Sequence, residues 1–169
     1  MNRLINLLFR RQGGFLLVEA ILAVALTALI GLGASMAAAQ VCTQTARNAD
    51  YTTASRQAMN AIAWLGQDAQ VAQEISGIDT FPEDDLVFSW TWWDNSEHSA
   101  TYSLADGELR RTSSSGGEET VSVVAVYIDD DESLTFCSLD DGVLTISITA
   151  ALNRASVTKS RDIVPRPSL

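Results

Sequence analysis

The sequence predicts an α+β fold: a long N-terminal α-helix packed against a C-terminal antiparallel β-sheet. Two observations predict it. Apolar residues run through the first quarter of the chain and continue as a stripe with helical spacing to about residue 76. Beyond Ile78 the hydrophobic period changes to two, with glycine-containing turns between short runs. Taken in order, the chain divides into a leader (1–14), a largely apolar, membrane-spanning helical half (15–39), an amphipathic helical half (40–76) and a β-rich head (77–169).

The leader, MNRLINLLFRRQGG, holds Arg3, Arg10 and Arg11 and no acid. From Ala20 to Ala39 there are twenty residues without a charge. At about 1.5 Å rise per residue such a helix matches the roughly 30 Å hydrocarbon core of a bilayer. The arginines before it hold the N-terminus on the cytoplasmic side and send the remainder outward. Glu19 stands at the front edge of the apolar run, where an anchor would avoid a carboxylate. Ala37-x-Ala39 fits the small-residue site of a secretory signal, so cleavage before Gln40 is an alternative. Against that alternative, Glu19 lies inside what would be the signal's apolar region.

Between Gln40 and Glu74 there is no proline and one glycine, Gly66. Ala58, Ile62, Leu65, Ala69 and Ala72 recur at alternating spacings of four and three, one apolar face of a helix. Gln57, Asn60, Gln67, Asp68 and Gln70 fall largely on the other faces. Ser76-Gly77 ends the pattern. A helix from Phe15 to about Ser76 is roughly 90 Å long. Gly31 with Gly33, and Arg47 to Thr53, are its weaker places.

In the head, Leu86, Phe88, Trp90 and Trp92 alternate with Val87, Ser89 and Thr91 as a strand with one apolar face. Trp93 faces the other way and is the better candidate for a contact outside the head. Ala105-Asp106-Gly107 reads as a hairpin turn and Ser113–Gly117 as a flexible loop. The alternation of the following strand slips at Val123-Val124, which predicts a bulge. Leu134 and Phe136 begin another strand. Asp140-Asp141-Gly142 turns into Val143–Ala150, and Val157–Val164 is the last strand.

Charge excludes one class. The chain carries 21 acids against 11 Lys and Arg, net -10. Without the three leader arginines the count is 8 against 21, or -13. Nucleic-acid binding needs a basic footprint, so no nucleic-acid partner is expected. His98 is the only histidine, and no Gly-x-Ser-x-Gly elbow occurs. A Ser-His-Asp arrangement remains open on composition alone, but no catalytic residue is assigned. Asp129, Asp131, Asp140 and Asp141 offer oxygen ligands of the kind calcium takes, without the spacing of an EF-hand loop. A solvated turn is the simpler reading, and no cofactor is otherwise expected. Cys42 and Cys137 either form one disulfide or stay as two thiols.

Gly14-Phe15-Leu16-Leu17-Val18-Glu19 resembles the N-terminal signature of type IV pilins and the pseudopilins of type II secretion. That resemblance implies cleavage between Gly14 and Phe15 by a prepilin peptidase, N-methylation of Phe15, and storage in the inner membrane with the head on the periplasmic side. It implies assembly into a filament with other pilin or pseudopilin subunits through an inner-membrane platform. Glu19 would then pair with the new amino group of a neighbouring subunit. Tyr102-x-Leu104-x-x-Gly107-x-Leu109-x-Arg111 and the Val-rich strand after it are similar to minor subunits, the J-type pseudopilin and the W-type minor pilin. A major pilin remains possible, and the alternative class is a signal-anchored or secreted β-domain with a binding or enzymatic role.

Overall fold

The computed structural model describes residues 15–165, with side chains from Leu17 onward. It has the α+β fold: one long N-terminal helix and eight antiparallel strands in two sheets. Helix α1 spans Phe15–Val71 without interruption at Gly31 or Gly33. Two compact units divide between Ala46 and Arg47.

The first unit is helical from Phe15, and its apolar side chains from Leu17 to Met36 are exposed. An 18-residue stretch of α1 is long and apolar enough to cross a membrane, and none of it is buried by protein. Thr27, Ser35 and Thr43 return their hydroxyls to carbonyls four residues back, at 2.8, 2.8 and 2.9 Å. These hydroxyls thus find partners within the helix, which an apolar surrounding requires.

The second unit is built on the remainder of α1. Ala54, Ala58, Ala61, Ile62, Leu65, Ala69 and Ala72 are buried and form one face of the core. Alanine dominates this face, so the larger side chains of the core come from the strands. The first sheet has the order β1-β2-β3-β4-β5. Its strands are β1 (Glu74–Ser76), β2 (Leu86–Thr91), β3 (Glu97–Ala105), β4 (Glu108–Ser115) and β5 (Glu118–Val126). The second has the order β6-β7-β8, with β6 (Phe136–Asp140), β7 (Val143–Leu152) and β8 (Ala155–Ile163). Leu86, Phe88, Tyr102 and Leu109 from the first sheet and Leu144, Ile146 and Ile148 from the second complete the core. Phe88 meets Tyr102 edge to face, with centroids 5.7 Å apart. Each such side chain contributes about 1.5–3 kcal/mol by burial.

Turn chemistry sets the registers. Asp106 and Gly107 both have positive φ, 52° and 73°, and close the two-residue hairpin between Ala105 and Glu108. Asp141-Gly142 does the same between Asp140 and Val143. The slip at Val123-Val124 is a bulge: Leu109 faces Ala125, Arg110 faces Val123, and Val124 has no partner. Gln57 on α1 reaches this place, its amide oxygen accepting from the Val126 N–H at 3.1 Å.

Three boundaries differ from the sequence expectation. The helix ends at Val71 and not near Ser76, because the backbone finds better partners in the sheet. Gln73 N–H donates to Ser89 O at 2.9 Å, and Glu74–Ser76 pair with Val87–Ser89 as β1. Ser113–Ser115 belong to β4, since Ser115 pairs with Glu118 across the Gly116-Gly117 turn. Leu134 lies in a loop that folds over β7. Its carbonyl accepts from the Thr149 hydroxyl at 2.8 Å, and this loop buries Thr149.

Candidate functional site

Gly14 lies outside the described residues. Phe15 opens α1, and Glu19 follows in the next turn, exposed on a helix whose neighbouring side chains Leu17, Val18, Ile21 and Leu22 are exposed as well. Among the described residues no ion pair reaches this carboxylate.

In the head, the side chain that the hydrophobic pattern missed is Asp68. It is buried, at 4% exposure, and not on a solvent face of α1. Asp68 Oδ2 accepts from Arg111 Nε at 2.6 Å and from the Tyr102 hydroxyl at 2.5 Å, and Oδ1 accepts from Arg111 Nη2 at 3.0 Å. Tyr102 and Arg111 stand opposite each other across β3 and β4, placed there by the Asp106-Gly107 turn. Arg111 also lies over the Trp64 ring, 5.3 Å from its centroid, a cation–π contact. The hydrogen bonds that the Arg111 guanidinium donates to Asp68 raise its pKa above the ordinary value and hold it charged. Burial first, then the Asp68 contact, pushes the Tyr102 phenol well above its usual range. The network fixes the register of α1 on the first sheet and is fully satisfied, the condition under which buried charge is tolerated.

Next to this network runs a groove of about 830 Å³. Its walls are the last turn of α1, through Gln67 and Val71, and the segment Trp90–Trp93, with Arg111 also lining it. Trp90 continues the core face of Leu86 and Phe88, but α1 stops at Val71 and no further turn covers it. Trp92 lies beyond the end of β2 at 53% exposure, so the expected apolar strand face breaks there. Trp93 is 90% exposed. The turn that carries it is tightly bonded. Asn95 N–H donates to Trp92 O and Trp92 N–H to Ser96 O, each at 3.0 Å. Asp94 Oδ1 accepts from the Ser96 N–H at 3.0 Å and from its hydroxyl at 2.6 Å. These bonds hold the exposed Asp94 carboxyl below the ordinary carboxylate value.

His98 stacks on Trp90 at 5.8 Å and leans on Trp92 at 5.4 Å. Its Nε2 is 2.9 Å from Ser96 Oγ. Ser96 therefore lies between Asp94 and His98. A Ser-His-Asp triad needs the imidazole in the middle, so that it takes the serine proton while the carboxylate orients it. Here the serine proton is already directed at Asp94, and the order is wrong for that chemistry.

The acidic candidates are not gathered. Asp129 and Asp131 lie in the β5–β6 loop and Asp140 and Asp141 at the β6–β7 turn. Asp129 Oδ1 accepts from Asp131 N–H at 3.1 Å; Asp131 Oδ1 accepts from Ser133 N–H and hydroxyl at 2.9 and 2.6 Å. Among the described residues no group of three or more His, Cys, Asp or Glu side chains is arranged to hold a metal ion. The Asp129 and Asp131 carboxylates bond within their own loop. Cys42 and Cys137 are both free. Cys42 is exposed on α1, while Cys137 points from β6 into the core, where burial pushes its thiol up to about 12.

Comparison of the chain with protein-family models, with curated proteins and with solved structures finds no match.

Proposed function

We propose that this chain is a structural subunit, of the minor pilin or pseudopilin kind, of a type IV pilus-like or type II secretion filament. The observation that carries the reading is the exposed apolar half of α1 with Glu19 at its front. Such a surface is stable in a bilayer and equally in a bundle of like helices. A carboxylate in that surface costs a few kcal/mol unless paired. Cleavage between Gly14 and Phe15 creates the partner, a cationic amino group on the next subunit. Pairing then sets the axial offset between subunits. Before assembly the chain sits in the inner membrane with one span and its head on the periplasmic side.

Mass spectrometry of the mature N-terminus tests the processing. The expected product begins with N-methylated Phe15; a product beginning at Gln40 refutes the proposal. Glu19→Val tests the pairing. That variant should be cut normally yet fail to enter filaments, as read by recovery in sheared filament fractions. Normal incorporation would show that Glu19 is no assembly partner.

A further inference from the structure

Resting on the reading of Ala20–Ala39 as a bilayer span, we infer that the cavity between α1 and the β7–β8 turn receives the headgroup phosphate of an anionic phospholipid. The cavity is about 410 Å³, and all its lining residues belong to the second unit. Arg47 and Tyr51 line it from α1, one turn apart, and Arg154 lines it from the β7–β8 turn. Asn153, at φ 54°, bends that turn, and its Nδ2 donates to Asp50 Oδ2 at 3.1 Å, which ties the turn to the helix.

Charge points to a phosphate. Both arginines are exposed, and among the described residues neither forms an ion pair. They bring two positive charges against the single Asp50 carboxylate, in a chain whose net charge is -10. A guanidinium binds phosphate oxygens through a planar fork of N–H donors. A phosphodiester has two unbridged oxygens, so one can face the arginine of the helix and the other the arginine of the turn. Position points to a lipid as the source. Arg47 follows Ala39 by eight residues in the uninterrupted α1, about 12 Å of helix. Side chains on a helix lean toward its N-terminus, and arginine does so on a long stem. That lean carries the Arg47 charge back toward the headgroup layer, the outer about 5–7 Å of each leaflet. Tyr51, 56% exposed, is of the aromatic type that gathers at membrane interfaces.

The test titrates the full chain, in micelles of a neutral detergent, with dioleoylphosphatidylglycerol and separately with dioleoylphosphatidylcholine, and follows the arginine Nε–H NMR signals. Phosphatidylglycerol should shift the Arg47 and Arg154 signals at lower concentration than phosphatidylcholine. Arg47→Gln and Arg154→Gln should each weaken its binding about fivefold. Both residues are exposed, so both variants should unfold at the temperature of the parent chain. Arg56→Gln, on α1 but outside the cavity, should leave binding unchanged. Equal losses in all three variants would mean diffuse attraction without a site and overturn the proposal, as would equal titration by the two lipids. Inorganic phosphate displacing phosphatidylglycerol at equal concentration would assign the cavity to a free anion instead. An alkaline carbonate wash tests the span separately. A chain released from membranes refutes the bilayer reading, whereas a chain retained but without lipid preference refutes only the headgroup site.

Discussion

Removing the Asp68 carboxylate separates a structural network from a decorative one. In Asp68→Ala the Tyr102 hydroxyl, on a side chain with no exposure, loses its acceptor. An unsatisfied buried hydroxyl costs about 1–3 kcal/mol. Arg111 keeps its charge with a side chain only 15% exposed and no counter-ion. Breaking a buried pair in this way costs about 3–5 kcal/mol in total. The residual exposure of Arg111 places the expected value near the lower end, about 3 kcal/mol. For a head of this size that lowers the unfolding midpoint by about 12 °C. Urea unfolding of the full chain in micelles, followed by tryptophan fluorescence, measures it. The triple variant Asp68→Leu, Tyr102→Phe, Arg111→Met removes all three polar groups together and should return to within about 1 kcal/mol of the parent. A loss below about 1 kcal/mol in Asp68→Ala, or a triple variant as unstable as the single one, would refute the reasoning.

Other perturbations follow from single positions. Gly77 has φ +78°, and a Cβ there would lie 2.1 Å from the Asp85 carbonyl oxygen; Gly77→Ala should destabilise the head by at least about 2 kcal/mol in the same urea assay. Cys137 should resist maleimide in the folded chain and react in urea, while exposed Cys42 reacts in both, as peptide mapping would read. The raised Cys137 pKa also has a sign: between the unfolded thiol value of about 8.5 and about 12, the folded state keeps a proton that the unfolded state has lost. Stability should therefore be fully present below that window and fall as pH rises through it, and Cys137→Ala should flatten this part of the pH profile. Thr149→Val removes the hydroxyl that donates to Leu134 O and should cost about 1 kcal/mol, with faster amide exchange in the Asp131–Thr135 loop as the local readout.

Much of the fold was legible because it is written in short-range chemistry. The alanine and leucine stripe from Ala58 to Ala72, the Asp106-Gly107 and Asp141-Gly142 turns and the doubled valine at Val123-Val124 each act within a few residues. What failed depends on what lies across from a residue. Asp68 follows Leu65 by three and precedes Ala72 by four, so it sits on the buried arc. A hydrophobic count reads any carboxylate there as surface. The available signal was symmetry: Tyr102 and Arg111 are equidistant from the turn at Asp106-Gly107, which brings a phenol and a guanidinium onto one face. Trp92 was misread for the opposite reason. The strand pattern of apolar residues continues through it, but the helix that would cover that face ends at Val71.

The strand order has a consequence for how this head can be made. Every ladder between the named strands joins neighbours in sequence, β1 through β5 and then β6 through β8, and one short bridge, Ile128 to Ala150, links the segment after β5 to β7. A chain that emerges N-terminus first thus meets each new strand's ladder partner already in place, and only the Tyr127–Asp129 segment awaits a later one, β7. Closing only short loops makes such pairing fast. The free β-edge on the growing sheet is renewed and covered one hairpin at a time, so the interval in which it can pair with a foreign chain stays brief.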